Sequence, residues 1–182
     1  MQALDLLLNR RSIANLIEPA PEGKVLENIV KAGLRAPDHG CLTPWRFVIA
    51  QGEGLRKLSD ILVAAAVAKN SEQAVIEKVK KAPFRAPMVI TIIAKVTEHP
   101  KVPAFEQYLS AGCAAQAMQM AAVVQGFQAF WRSGEWMFDD NVKQAFELQG
   151  DDKIVGFLYL GTSGCSAMKV PERALADFVE YL

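Results

Sequence analysis

The sequence has little of what most catalytic or structural frameworks are built from. Three cysteines in 182 residues, an odd number with no CxxC pair, support neither a disulfide framework nor a zinc ribbon. Two histidines, His39 and His99, are too few for a His-rich metal centre, and no metal is expected. The 20 basic and 20 acidic side chains cancel, which removes any global attraction to nucleic acid or an anionic membrane. The first residues place Asp5 inside the apolar stretch and the arginines after it, the reverse of a secretory signal, so a cytoplasmic protein is expected. No GxSxG element occurs, because Gly161-Thr162-Ser163-Gly164 runs into Cys165, and no GxxxxGKS/T loop occurs either. Gly52-Glu53-Gly54 opens a helix after a strand, but Lys57 holds the third glycine position of a dinucleotide fingerprint. It reads as a plain strand-to-helix turn. Cys41 lies two residues from His39 without a third orienting group, so a buried structural cysteine is expected there rather than a nucleophile.

What is present is apolar mass. Half of the chain (51%) is hydrophobic, and its length suits one domain over residues 1–182 that buries roughly 70% of its unfolded surface. The stretch from Gln107 to Trp131 carries no formal charge, yet five glutamines spread around it and Gly126 ends it. It reads as a buried helix rather than a membrane span. Helical spacing also marks Leu4 to Leu8, Leu26 to Leu34, Leu55 to Lys69, Glu72 to Lys81 and Asp139 to Phe146, the last with Asp139 or Asp140 as N-cap. Strands are expected over Arg46 to Ala50, Met88 to Ala94, Phe127 to Arg132 and Lys153 to Leu160. Residues 162–174 look irregular and Ala176 to Tyr181 amphipathic. The pattern alone fits α/β and α+β equally. A helix apolar on all sides over about 104–125 needs cover on both faces, which predicts a homodimer.

Three segments carry possible chemistry. Arg10-Arg11-Ser12 offers two guanidiniums and a hydroxyl suited to a phosphate, or equally a cationic cap on a helix C-terminus. Arg35-Ala36-Pro37-Asp38-His39, with Pro44-Trp45, forms a stiff loop able to clamp a flat polar ring, or else a helix end followed by a turn with Trp45 in the core. Trp131-Arg132-Ser133-Gly134 follows a strand and is weak by itself.

Taken in order, the segments resemble the nitroreductase-like flavin oxidoreductases, and within them the short members described as minimal nitroreductases. The likeness runs from RRS at 10–12 through PAPEG, RAPDH and PW to APFRAPMVITIIAK at 82–95. It continues through KVP, SAGCAAQAMQMAAVVQGF at 110–127, WRSG and DKIVGFLYLGT at 152–162. The resemblance implies an α+β fold with a central, mostly antiparallel sheet flanked by helices and a long buried central helix at the interface of a homodimer. It also implies FMN bound at that interface and NAD(P)H as reductant. By this resemblance Arg10, Arg11 and Ser12 hold the FMN phosphate and ribityl chain, and Arg35 and His39 reach it from the other subunit. Trp131, Arg132 and Ser133 complete the pocket, and Ala121, Ala122, Val123, Val124, Gln125 and Gly126 lie near the nicotinamide nucleotide.

The chain also departs from the family pattern. Ala14 stands where RRSxR has a basic residue beside the flavin pyrimidine, and Arg35 is the expected substitute. Asp38, Cys41 and Thr43 replace Ser, Asn and Gln of APSxxNxQPW. Gln128 replaces a glycine, Ser163 a proline, and Lys169 is a weak match to the family's C-terminal phosphate contact. The expected activity is ping-pong transfer of hydride from NAD(P)H through FMN to electron-poor acceptors such as nitroaromatics or quinones. The rival reading is a low-turnover FMN carrier or regulatory flavoprotein.

Overall fold

A computed structural model describes residues 3–165 and 172–182. Its sheet is organised by the segment with the strongest strand signal. Met88–Ala94 (β3) is buried along all seven residues, because one face meets each of two helical layers. Arg46–Gln51 (β2) pairs antiparallel with one edge of β3, and Lys153–Ser163 (β5) pairs antiparallel with the other. Gln128–Arg132 (β4) runs antiparallel to β5, with Trp131 opposite Leu158 and Arg132 opposite Phe157. A two-residue strand, Leu16–Ile17 (β1), pairs antiparallel with the far end of β5. The architecture is α+β with an antiparallel sheet, as expected.

Alternation along β3 divides the core. Met88, Ile90 and Ile92 face a cluster with Ile29, Ala115, Met118, Ala122 and Leu158, supplied mainly by helices Gly23–Gly33 (α2) and Ala104–Val124 (α5). Val89 and Ile93 face the opposite cluster, built on Glu53–Ala68 (α3), Gln73–Lys81 (α4) and Asp140–Ala145 (α6). Small residues let α5 approach closely: Ala111, Ala114, Ala115 and Ala122 are fully covered. A Cβ on Gly33 of α2 would lie 2.8 Å from Met118. Two of the amides that argued against a lipid environment are buried and satisfied internally. Gln107 accepts from Thr97 N and donates to the carbonyls of Thr97 and Val102, and Gln119 donates to Ala129 O at 3.2 Å. Among the described residues no helix is long and apolar enough to cross a membrane.

Asp139 caps α6, its carboxylate accepting from Asn141 N and Val142 N. The opening helix is Ala3–Asn9 (α1), which buries none of its residues. Two expectations require correction. Cys41 is exposed, not buried, because Gly40, Cys41 and Thr43 all adopt positive φ in a tight turn. That turn is organised by Asp38, whose carboxylate accepts from Leu42 N and Thr43 N. Residues 162–163 extend β5 rather than beginning an irregular tail. Leu175–Asp177 form a 3-10 turn at the start of the amphipathic Ala176 to Tyr181 stretch. Lys169 lies outside the described residues.

Candidate functional site

Two recesses collect the cationic residues of interest, at opposite ends of β4. The first, of about 210 Å³, is lined by Asp5, Asn9, Arg10, Arg11, Val123 and Gln128, together with Leu6 and Ile13. Arg10 donates to Ser12 Oγ at 3.1 Å, which holds a guanidinium and a hydroxyl together as the phosphate reading needs. Arg11 also donates to the carbonyl of Asn9 at the end of α1, so part of its role is the helix-end contact.

The second recess, of about 330 Å³, lies over Val79, Phe157, Tyr159 and Trp136, with Lys78, Arg85, Arg132, Ser133 and Glu135 around it. Arg132 stacks on Phe130 at 4.4 Å and on Tyr159 at 5.3 Å, which fixes its position. Its Nε is buried without a hydrogen-bond partner. Burial and the neighbouring charge of Arg85 pull the proton affinity of Arg132 below the usual guanidinium value, though it stays charged at neutral pH. Burial raises the Tyr159 phenol despite the two nearby arginines. Trp136 is held from behind, where Lys69 sits 5.4 Å from its ring and 3.1 Å from Asp139.

Gln128 lines the first recess and Arg132 the second, and with Phe130 they project from one face of β4. Gln128 and Arg132 are four residue steps apart along the strand, about 13 Å. Ile13, which lines the first recess, shares a core cluster with Val79, Phe157 and Tyr159 of the second. Both recesses therefore stand against one apolar base. Arg85, Trp136 and Tyr159 received no role from the sequence; only the folded chain brings these distant positions together.

The other expected residues lie elsewhere. The Trp131 side chain points to the α5 side, donates to Val155 O, and occupies the space a Cβ on Gly156 would need. Of the 121–126 segment, Val123 lines the first recess and Ala122 is buried in the core. Gln125 bonds to Asn28, Val25 O and Ala121 O, and Gly126 makes the positive-φ turn. Arg35 is exposed at the end of α2 and lines neither recess. His39 is exposed and contacts Glu106 in the first turn of α5 through Nδ1 at 2.7 Å. Glu106 and Val123 are 17 residues apart on one helix, about 25 Å. Within one chain, His39 and the Arg10–Arg11 recess are at opposite ends of α5.

A third, more open groove of about 620 Å³ near Lys95, His99 and Asp152 is committed to internal bonds, chiefly Lys95 to Asp152 at 2.7 Å. Among the described residues no cluster of potential ligands suits a metal ion.

Comparison with known proteins adds a family to this geometry. Residues 7–162 match the Nitroreductase family. The chain belongs to the nitroreductase family. It is 51% identical over 184 residues to YdjA of Escherichia coli (strain K12), covering 100% of both chains, and that protein carries an NAD(P)H nitroreductase name. A relative from Haemophilus influenzae, similarly named, is 40% identical with 100% of both chains covered. In fold, the chain resembles a nitroreductase-like family protein from Bacillus cereus, with TM-score 0.83 and 21% identity over 100% of this chain and 96% of that one. It also resembles a variant of the nitroreductase NfnB from sphigopyxis sp. strain HMH, described as FMN- and NADPH-dependent. The TM-score there is 0.77 and the identity 18%, covering 100% and 99% of the two chains. Family membership makes the chain an oxidoreductase.

Proposed function

We propose that the protein is an FMN-dependent oxidoreductase that takes hydride from NAD(P)H and delivers it to electron-poor acceptors such as nitroaromatics or quinones. It acts as a homodimer with FMN at the subunit interface. The observation that carries this reading is the pair of cationic recesses at the two ends of β4, lined there by Gln128 and Arg132, which are about 13 Å apart along the strand. An extended ligand with an anionic end and a flat aromatic end fits both. The unpaired Nε of Arg132, the aromatic floor and the Arg10–Ser12 pair are the donor set such a ligand requires. The NAD(P)H nitroreductase names of the close relatives support the choice of reductant.

FMN, when bound, supplies the electron-transfer chemistry, so no nucleophilic side chain is needed. The chain binds and orients. Arg10, Arg11 and Ser12 take the phosphate end, where charge-assisted bonds contribute most. Arg132 and Ser133 border the ring end. Val123 brings the end of α5 to the first recess; the carbonyl end of a helix does not favour an anion, so Arg10 and Arg11 offset it for the FMN phosphate. His39, held at the Glu106 end of α5 about 25 Å from its own chain's recess, and Arg35, which lines neither recess of its own chain, complete the site from a second chain. The apolar residues on the outer face of α5 support that arrangement: Phe105, Leu109 and Val124 are 66%, 54% and 54% exposed in a single chain.

The test is flavin content. The purified protein is expected to be yellow with one FMN per chain, and Arg10→Ala to weaken FMN binding by about 1.5–3 kcal/mol. A colourless protein that binds no added FMN would refute the reading; unchanged affinity in the variant would reduce Arg10 to a helix-end charge.

A further inference from the structure

The second recess has more positive charge than its own structure uses. Lys78, Arg85 and Arg132 line it against one carboxylate, Glu135, and none of the four forms an ion pair among the described residues. Guanidiniums gathered over an aromatic floor repel each other, and the arrangement gains when an electron-rich group enters. Arg132 is immobilised between Phe130 and Tyr159. Arg85 is different: its backbone is fixed in the Pro83–Arg85 turn, followed by buried Ala86 and by Pro87, while its side chain remains exposed at the rim. One cation is a fixed wall, and the other is anchored at its root with a reach.

We propose that Arg85, backed by Arg132, is the cation that faces the electron-rich pyrimidine edge of the bound FMN ring, taking the place of the basic side chain missing at Ala14. This rests on the FMN reading above. Arg85 takes that role from Arg35, the expected substitute, because it lines the same recess as Ser133 within one chain, whereas Arg35 lines neither recess of its own chain and would reach the ring only across the interface. A cation at that edge favours the electron-rich reduced ring over the neutral oxidised one. Arg85 therefore tightens binding of reduced FMN relative to oxidised FMN and raises the midpoint potential.

The experiment is spectroelectrochemical titration of the FMN-loaded full chain and of Arg85→Gln, Arg85→Lys and Arg35→Gln, with FMN stoichiometry measured on each. Arg85→Gln is expected to retain FMN but to lose tenfold or more in the reduced-to-oxidised affinity ratio, a fall of about 30 mV for a two-electron couple. Arg85→Lys restores most of it, and Arg35→Gln moves the potential less than Arg85→Gln. A wild-type chain that takes up no FMN defeats the functional reading and this inference with it. FMN bound normally with an unmoved potential in Arg85→Gln defeats the inference alone, as does a larger shift in Arg35→Gln. If Arg85→Gln sheds FMN while Arg85→Lys keeps it, the charge contact is supported; if both shed it, charge is not what Arg85 supplies.

Discussion

The two faces of α5, a helix whose one charged residue is Glu106 in its first turn, behave in opposite ways. The inner face is small and closed, with alanines against the sheet and the amides of Gln107 and Gln119 bonded to backbone. The outer face carries larger apolar groups, Phe105, Leu109 and Val124, that a single chain leaves in water. Residue size separates the two roles where polarity does not: small side chains mark close packing within the chain, and large exposed ones mark a surface awaiting cover. A second copy laid on the outer face would bring the His39 end of one chain towards the Arg10 end of the other.

Introducing the same charge on each face breaks this comparison most sharply. Ala115→Arg should abolish folding, since an unpaired guanidinium in a sealed core costs several kcal/mol, and circular dichroism would show it. Leu109→Arg should leave the fold intact and yield a monomer in sedimentation velocity; a Leu109→Arg dimer as stable as wild type would remove the outer face from the interface. Mixing chains sharpens the claim about the two ends of α5. Arg10→Ala and His39→Ala chains, each defective alone, should regain one FMN site per heterodimer, and failure to regain it after proven subunit exchange would assign both residues to one chain's site. A smaller effect belongs to the inner face. Gln119→Ala should cost about 1–3 kcal/mol in urea denaturation, because Ala129 O is left unpaired away from water.

The smallest effect is at acid pH. Burial by itself raises the carboxyls of Asp139 and Asp152. Lys69 with the N–H groups of Val142 and Asn141, and Lys95 with those of Val96 and Gln149, outweigh it and hold both below the ordinary range. Both carboxylates therefore stabilise the fold at neutral pH. Their contribution is intact above about pH 5 and is lost as pH falls below the unfolded value near 4 towards the lower folded one. Replacing either by Asn should flatten the acid limb of the stability profile, and an unaltered limb would show that the carboxylate is equally stable unfolded.

Legibility followed the range of the interactions. Met88–Ala94 announced itself because burial on both faces demands an unbroken apolar run, and Asp139 because capping is decided within four residues. Leu16–Ile17 was invisible, since two residues become a strand only by pairing with Thr162 and Ser163 at the other end of the chain. Cys41 was misjudged because its exposure follows from a positive-φ turn that its residue type disfavours. The Arg10–Ser12 contact spans two residues, so its donors stand together already in the sequence. The Arg85, Trp136, Tyr159 recess joins positions far apart in sequence, and Arg85 between two prolines reads only as a turn until the fold closes around it.

The central claim is that a flavin held across the two recesses passes electrons from NAD(P)H to an external acceptor. Anaerobic mixing of the FMN-loaded protein with NADH or NADPH tests it directly. The visible flavin absorbance is expected to bleach and to return on addition of a nitroaromatic or a benzoquinone, over repeated cycles. Absorbance that stays unchanged with both nucleotides, or that bleaches once and does not return with either acceptor, would contradict the account and leave a flavin carrier in its place.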